Sequence, residues 1–209
     1  WYDRLGRLTL SQNAVQALGS GETDKKYSYT QYDALGRITE VGELTNGVGT
    51  TINQTLTRNP ADLQSWFNDN ATNRAQITST IYDIPYAGGA IEEEIVQRNL
   101  RNRVSYVTIS EGNNPANFSA ASFYSYDIHG NVDTLLQDYG ANDLATANIM
   151  NVNGNRWKKI VYRYDLISGK VNEVAYNPGK VDQFFHRYQY DAENRLIEVE
   201  TSPDYWVWS

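Results

Sequence analysis

Tyr32-Asp33-Ala34-Leu35-Gly36-Arg37-Ile38-Thr39-Glu40-Val41 decides how this chain is read, because its pattern returns along the sequence. Tyr2-Asp3-Arg4-Leu5-Gly6-Arg7-Leu8 is an earlier copy, and Tyr126-Asp127-Ile128-His129-Gly130-Asn131-Val132 a later one. Tyr164-Asp165-Leu166-Ile167-Ser168-Gly169-Lys170-Val171 carries one extra residue before its glycine. Tyr190-Asp191-Ala192-Glu193-Asn194-Arg195-Leu196 has asparagine in the glycine's place. Tyr82-Asp83 opens a broken copy that resumes at Asn102-Arg103-Val104. Self-similarity of this kind marks a chain built from repeated supersecondary units.

Each copy reads as a β-hairpin. Around Tyr32, residues 25–32 are rich in Tyr and Thr and predict a strand; residues 33–36 are the turn and 37–44 the returning strand. The turn has a mechanism. The Asp33 carboxylate accepts from backbone N–H groups just after it, and Gly36 takes a positive φ without a Cβ clash. Aspartate first and glycine fourth is the type I signature, commonly followed in hairpins by a left-handed residue. Asn194 fits that place because asparagine tolerates positive φ better than other non-glycine residues.

Counted from the motif tyrosine, branched aliphatics recur six and nine places on: Ile38 and Val41, Val132 and Leu135, Leu196 and Val199. Val171 and Val174 follow one place later, after the longer turn. Six and nine differ in parity, so an unbroken strand would send them to opposite faces. A β-bulge just after each turn would restore them to one face, and that face, with Tyr32, Ile38 and Val41, is expected to be the buried side. A second aromatic, Tyr124, Tyr162 or Tyr188, stands two places before the motif tyrosine and shares its face.

The expected fold is all-β: consecutive antiparallel hairpins around residues 1–11, 25–44, 75–110, 122–138, 157–176 and 184–201, in one repeat-built domain spanning 1–209. Linker lengths drift while strand and turn persist, as connections on a scaffold do. At most short helices interrupt the pattern: one over 60–67, and one around Glu92-Glu93-Glu94 inside a long insert at the tip of the third hairpin. Residues 68–73, 111–120 and 140–155 read as loops.

The 209 residues carry 25 acidic and 18 basic side chains, a net charge of -7. An acidic chain lacks the excess Lys and Arg that a phosphate-binding surface needs, so nucleic acid is not an expected partner. There is no cysteine, hence neither a disulfide framework nor a thiolate site. No apolar run of about 18 residues is present to span a membrane. Sixteen tyrosines against five phenylalanines suit sheet faces half covered and half wet. The two histidines, His129 and His186, show no metal or triad spacing, and no cofactor is expected. Both ends look cut out of a longer array.

The recurrent Tyr-Asp-x-x-Gly-Arg-[Leu/Ile/Val] resembles the YD repeat of RHS-repeat proteins, a group that includes bacterial polymorphic toxins, the shells of Tc toxins and animal teneurins. The likeness runs from Tyr2 to Val199, and the stretches Tyr124 to Val132 and Tyr164 to Gly169 resemble RHS proteins of the Bacteroidetes type. It implies a curved or spiralling β-strip, a segment of a shell that encloses or presents a C-terminal effector of a secreted or cell-surface protein. Its partners would be neighbouring repeats of the same chain and the enclosed effector. The family's self-cleaving aspartates follow the repeats and have no counterpart here, so no enzymatic activity is carried over. The motif aspartates Asp3, Asp33, Asp127, Asp165 and Asp191 are expected as turn acceptors, since catalysis needs one pair in contrasting environments. Arg7, Arg37 and Arg195 are expected to pack over rings or pair across strands. The competing reading is a carbohydrate- or protein-binding adhesion segment, with Trp66, Trp157, Trp206 and Trp208 as its platform. Asn53, Asn70 and Asn117 begin glycosylation sequons of the kind Asn-rich loops make by chance.

Overall fold

A computed structural model describes residues 1–139 and 156–209; the connector expected over 140–155 lies outside the described residues. The strands are β1 (Leu10–Ser11), β2 (Lys26–Tyr32), β3 (Ile38–Thr45), β4 (Arg74–Tyr82), β5 (Val104–Ser110), β6 (Ala120–Tyr126), β7 (Val132–Asp138), β8 (Trp157–Tyr164), β9 (Val171–Tyr176), β10 (Phe184–Tyr190) and β11 (Leu196–Ser202). They form one antiparallel sheet in which spatial order follows chain order from β1 to β11. Each strand pairs with its neighbours in sequence, whether the connection is a short turn, as from β2 to β3, or a long one, as from β3 to β4, so this order needs no crossover. Three short helices, α1 (Gln54–Arg58), α2 (Pro60–Asp69) and α3 (Ile91–Glu94), lie among the described residues. The chain divides into two compact units, residues 1–81 with 107–120, and residues 82–106 with 121–209.

In the first unit, Tyr27 and Tyr29 of β2, Leu44 of β3 and Leu10 of β1 pack with Ile52, Trp66 and Phe67 as the core. Rings meet edge to face, Tyr27 on Trp66 at 6.0 Å and Tyr29 on Phe67 at 5.6 Å. Burying each such side chain contributes about 1.5–3 kcal/mol. Asn59 caps α2 by accepting from Ala61 N–H, and Pro60 stands at its first turn. The helix runs two residues beyond the expected 60–67 because Asn70, fully buried, closes its last turn with two donations to the Trp66 carbonyl. Helix α1 was not expected; it is five residues long with no apolar period, and it is fixed by its Asn53 cap and by Thr57, whose hydroxyl donates to the Tyr2 carbonyl. Between residues 1 and 11 the hairpin shrinks to one bridge, Tyr2 with Leu8, while β1 pairs with β2.

In the second unit, residues 84–103 fold against the sheet face that carries Phe123. Tyr86 and Tyr106 meet the Phe123 ring at 5.2 and 5.7 Å, and Ile91, Ile95 and Leu100 are buried. Gln97 fixes the segment. Its amide donates to the Ser105 carbonyl and hydroxyl and to the Tyr124 carbonyl, and its oxygen accepts from Tyr86 N–H.

Every intact hairpin has a bulge one residue into the returning strand. Gln31 pairs with Glu40 and Tyr32 with Ile38, which leaves Thr39 unpaired; Asp133, Asn172 and Ile197 are its equivalents. The bulge brings the residues six and nine places on to one face. Tyr32 lies opposite Ile38 and Thr30 opposite Val41; Tyr126 opposite Val132 and Tyr124 opposite Leu135. That face is not the deeply buried one, contrary to the sequence reading. On β6 the buried residues are Ala121, Phe123 and Ser125, while Tyr124 and Tyr126 are half-buried. The core forms where insertions supply apolar cover: α2 over Tyr27, Tyr29 and Leu44, and residues 84–103 over Phe123.

Candidate functional site

The repeated turn is where the chain concentrates its ionisable side chains. Asp33 Oδ1 accepts from Leu35 and Arg37 N–H, both at 2.9 Å, and Oδ2 accepts from Arg37 Nε at 2.6 Å. Asp33 N–H donates to the Arg37 carbonyl and Gly36 N–H to the Asp33 carbonyl, with Gly36 at φ +82°. This is a three-residue hairpin loop whose last residue is left-handed. Asp3 repeats it with Leu5, Gly6 and Arg7, and Asp191 with Glu193, Asn194 and Arg195, where Asn194 takes φ +62°. At Asp127 the carboxylate takes the N–H groups of His129, Gly130 and Asn131, and the Asn131 side-chain amide replaces the arginine. At Asp165 the extra residue is absorbed inside the loop. Gly169 N–H reaches the Asp165 carbonyl, Asp165 N–H the Lys170 carbonyl, and Tyr164 still pairs with Val171.

Electrostatics follow from these bonds. Partial burial pushes the Asp33 carboxyl upward, and the hydrogen bonds and charge of Arg37 outweigh it, so its pKa lies below the ordinary carboxylate value. Asp3 and Asp127 are lowered in the same way, Asp127 through Asn131 and the turn amides. For Asp165 the Ser168 N–H, and for Asp191 the Arg195 N–H, is the largest cause. All five carboxylates are held ionised by the same kind of turn, the opposite of the contrasting pair that acid–base catalysis requires. Arg7, Arg37 and Arg195 each pair with the motif aspartate four places before them, and Arg7 also packs over a ring, that of Tyr32, as expected.

The broken copy rebuilds the same turn from two distant pieces. Asp83 N–H donates to the Arg103 carbonyl, Arg103 N–H to the Leu100 carbonyl, and Asn102 N–H to Asp83 Oδ1 at 2.5 Å, with Asn102 at φ +58°. Residues 84–99 are thus spliced into the hairpin tip without losing its closure.

The motif tyrosines act between repeats. Tyr32 Oη donates to the Leu8 carbonyl at 2.8 Å, Tyr126 to Val104 at 2.8 Å, Tyr164 to Val132 at 3.0 Å and Tyr190 to Val171 at 2.9 Å. In each case the acceptor is the residue that pairs across the preceding hairpin's turn at the place of Ile38: Val104, Val132 and Val171 begin β5, β7 and β9, and Leu8 bridges to Tyr2. Two preceding arginines add a cation over the ring: Arg7 lies 4.4 Å from the Tyr32 centroid and Arg103 5.4 Å from that of Tyr126. Tyr2 and Leu8 bridge to one another in the first copy.

No family model and no curated protein matches the chain. Twenty-four chains of solved structures do. Two of these are structures of Tc toxin components. A crystal structure of TcdB2-TccC3-TEV is 17% identical with a TM-score of 0.49, over 95% of this chain and 7% of that one. A Photorhabdus luminescens Tc holotoxin pore with a substituted TccC3 is 16% identical with a TM-score of 0.42, over 95% and 8%. The chain spans less than a tenth of the length of either.

The remaining candidates separate by burial. Trp66 is 3% exposed and its Nε1 donates to Asn46 Oδ1, so it belongs to the core and not to a binding platform. Arg156 covers the Trp157 ring at 4.4 Å and Arg187 the Trp208 ring at 3.9 Å; Trp206 is 86% exposed. His186 stacks on Tyr188 and meets Phe184 edge-on, while His129 sits on a turn with its N–H on Asp127. Among the described residues no group of three or more His, Cys, Asp or Glu is placed to hold a metal ion. A cleft of about 400 Å³ lies at the turn ends of the first two copies, between Asp3, Arg7, Thr30, Asp33 and the Leu63 and Phe67 side chains of α2.

Proposed function

We propose that this chain is a stretch of wall: a non-enzymatic segment of an RHS/YD-repeat shell in a larger secreted or cell-surface protein, which encloses or presents a C-terminal effector. The observation that carries this reading is that the motif side chains act on the sheet itself. The motif aspartate closes each turn, joined by an arginine at Asp3, Asp33 and Asp191, and Tyr32, Tyr126, Tyr164 and Tyr190 each tie a hairpin to the one before. A surface built for chemistry would leave some of these groups turned toward a substrate. Its partners on this reading are neighbouring repeats and the enclosed effector. Adhesion through glycans or proteins is the competing reading, favoured by the exposed Trp206 ring. The full reading frame and a glycan-binding measurement test the two together. An effector-like domain following further repeats, with no sugar binding, supports the wall. A saturable sugar isotherm abolished by Trp157→Ala or Trp206→Ala would replace it with adhesion.

A further inference from the structure

We propose that Lys158 and Asn177, both in the second unit, join in an intramolecular isopeptide bond, with Asp182 carrying the proton between them. The bond closes the open end of the β8–β9 hairpin covalently, in a chain that has no cysteine for a disulfide. It serves a wall and an adhesion segment alike.

Asn177 directly follows β9, takes φ +45° and is 1% exposed. Its N–H donates to the Lys159 carbonyl at 2.7 Å and its Oδ1 accepts from Lys159 N–H at 2.6 Å, which fixes the carboxamide against β8. Its Nδ2 donates to both Asp182 oxygens at 3.0 Å. Lys158, the neighbouring residue of β8, is 7% exposed, and a lysine is almost never buried without a partner. That partner is again Asp182: Lys158 Nζ lies 3.3 Å from Oδ2, the oxygen that Asn177 Nδ2 also reaches. A buried amine and a buried carboxamide thus share one carboxylate oxygen. Closing the hairpin needs no such pair. Asn46 fills the same place after β3, fully buried with its N–H on the Lys25 carbonyl, and its side chain bonds instead to Trp66 Nε1 and the Thr50 carbonyl.

The three groups fit an amide exchange. Asp182 takes a proton from the Lys158 ammonium and leaves a neutral amine. The Nζ lone pair attacks Asn177 Cγ, whose carbonyl is already polarised by Lys159 N–H, and the same N–H holds the oxyanion that forms. Asp182 then returns the proton to the departing Nδ2. The Nζ–Cγ bond forms, the Cγ–Nδ2 bond breaks, and ammonia leaves, taking the second Nζ proton with it as ammonium. The net change is a lysine ammonium and a carboxamide converted to a secondary amide and ammonium, with nothing oxidised or reduced. Asn177 and not Asp182 is the electrophile, because its carbonyl bears no charge and faces a backbone donor, whereas the carboxylate stands between the two nitrogens.

Intact-mass spectrometry of the whole denatured chain, followed by proteolysis and fragmentation of the peptides, tests this. Expected are a mass lower than that of the sequence by one ammonia, and a branched peptide that joins Lys158 to Asn177. Lys158→Arg keeps a cation beside Asp182 and cannot form the bond, so the full mass should return; Asp182→Asn should restore it as well. Should Asp182→Asn fail to fold, the natural chain and Lys158→Arg decide. A natural chain of full mass, with Lys158 and Asn177 recovered in separate linear peptides, overturns the proposal. Loss of ammonia without the branched peptide does so too, since succinimide formation at an asparagine gives the same mass. A branched peptide undiminished in Asp182→Asn, or a link from Lys158 to Asp182 with loss of water, overturns the roles assigned here.

Discussion

Asp33 works in two directions at once: one carboxylate oxygen gathers the turn's N–H groups and the other holds the Arg37 guanidinium. Both bonds favour the ionised form, so the folded pKa lies below the ordinary 3.8. A lowered carboxylate contributes stability that is complete above the unfolded value and is lost as pH falls through the lower folded value. Asp33→Asn keeps a turn acceptor but removes the charge. Its melting midpoint should lie below that of the natural chain at about pH 6, and the gap should close on acidification to about pH 2. A gap that stays constant would show that the charge plays no part. Gly36 gives a second, pH-independent test at the same turn. An added Cβ meets only Arg7 Nη1, at an unstrained 3.7 Å, so any cost comes from the backbone at φ +82°. Gly36→Val should cost about 1–2 kcal/mol and Gly36→Asn less; equal urea midpoints for the two would contradict this. These residues are legible in sequence because donor, acceptor and glycine lie within five positions of each other.

At the scale of the hairpin, the bulge decides which face each side chain occupies. Thr39 is the unpaired residue, and beyond it Leu44 pairs with Tyr27 in the core. Deleting Thr39 shifts the rest of β3 by one place and turns Leu44 toward the other face. This deletion should destabilise the first unit by about 2–5 kcal/mol, the range for emptying a buried leucine site. Inserting a serine between Leu35 and Gly36 instead copies the longer loop at Asp165, which leaves pairing intact, and should cost less than about 1 kcal/mol. Urea unfolding followed by tryptophan fluorescence compares them, since Trp1 and Trp66 both contact Tyr27. Comparable losses would mean that the bulge does not set the register. The six-and-nine spacing made the bulge readable, because parity is a property of sequence alone. Helix α1 and the end of α2 were not readable: they rest on contacts of Thr57 with Tyr2 and of Asn70 with Trp66, which exist only after folding.

Over the whole molecule, the all-β antiparallel order follows from repetition and short turns. The sidedness of the sheet does not. Which face is buried depends on where α2 and residues 84–103 come to rest, and nothing in the strands' own alternation distinguishes a face covered by an insertion from one covered by neighbouring rings. The tyrosine ties were equally hidden. Their acceptors are backbone carbonyls 19 to 32 residues away, which no side-chain motif announces. They add a side-chain tie to the backbone pairing that joins successive hairpins, and they bear most directly on the claim that the motif is a building unit. Tyr32→Phe, Tyr126→Phe, Tyr164→Phe and Tyr190→Phe, each compared with the natural chain in urea, measure it. If the motif builds wall, each substitution removes the same bond and costs a similar amount, about 0.5–1.5 kcal/mol. A loss confined to one tyrosine, with the other three neutral, would mark a single specialised site and contradict the account.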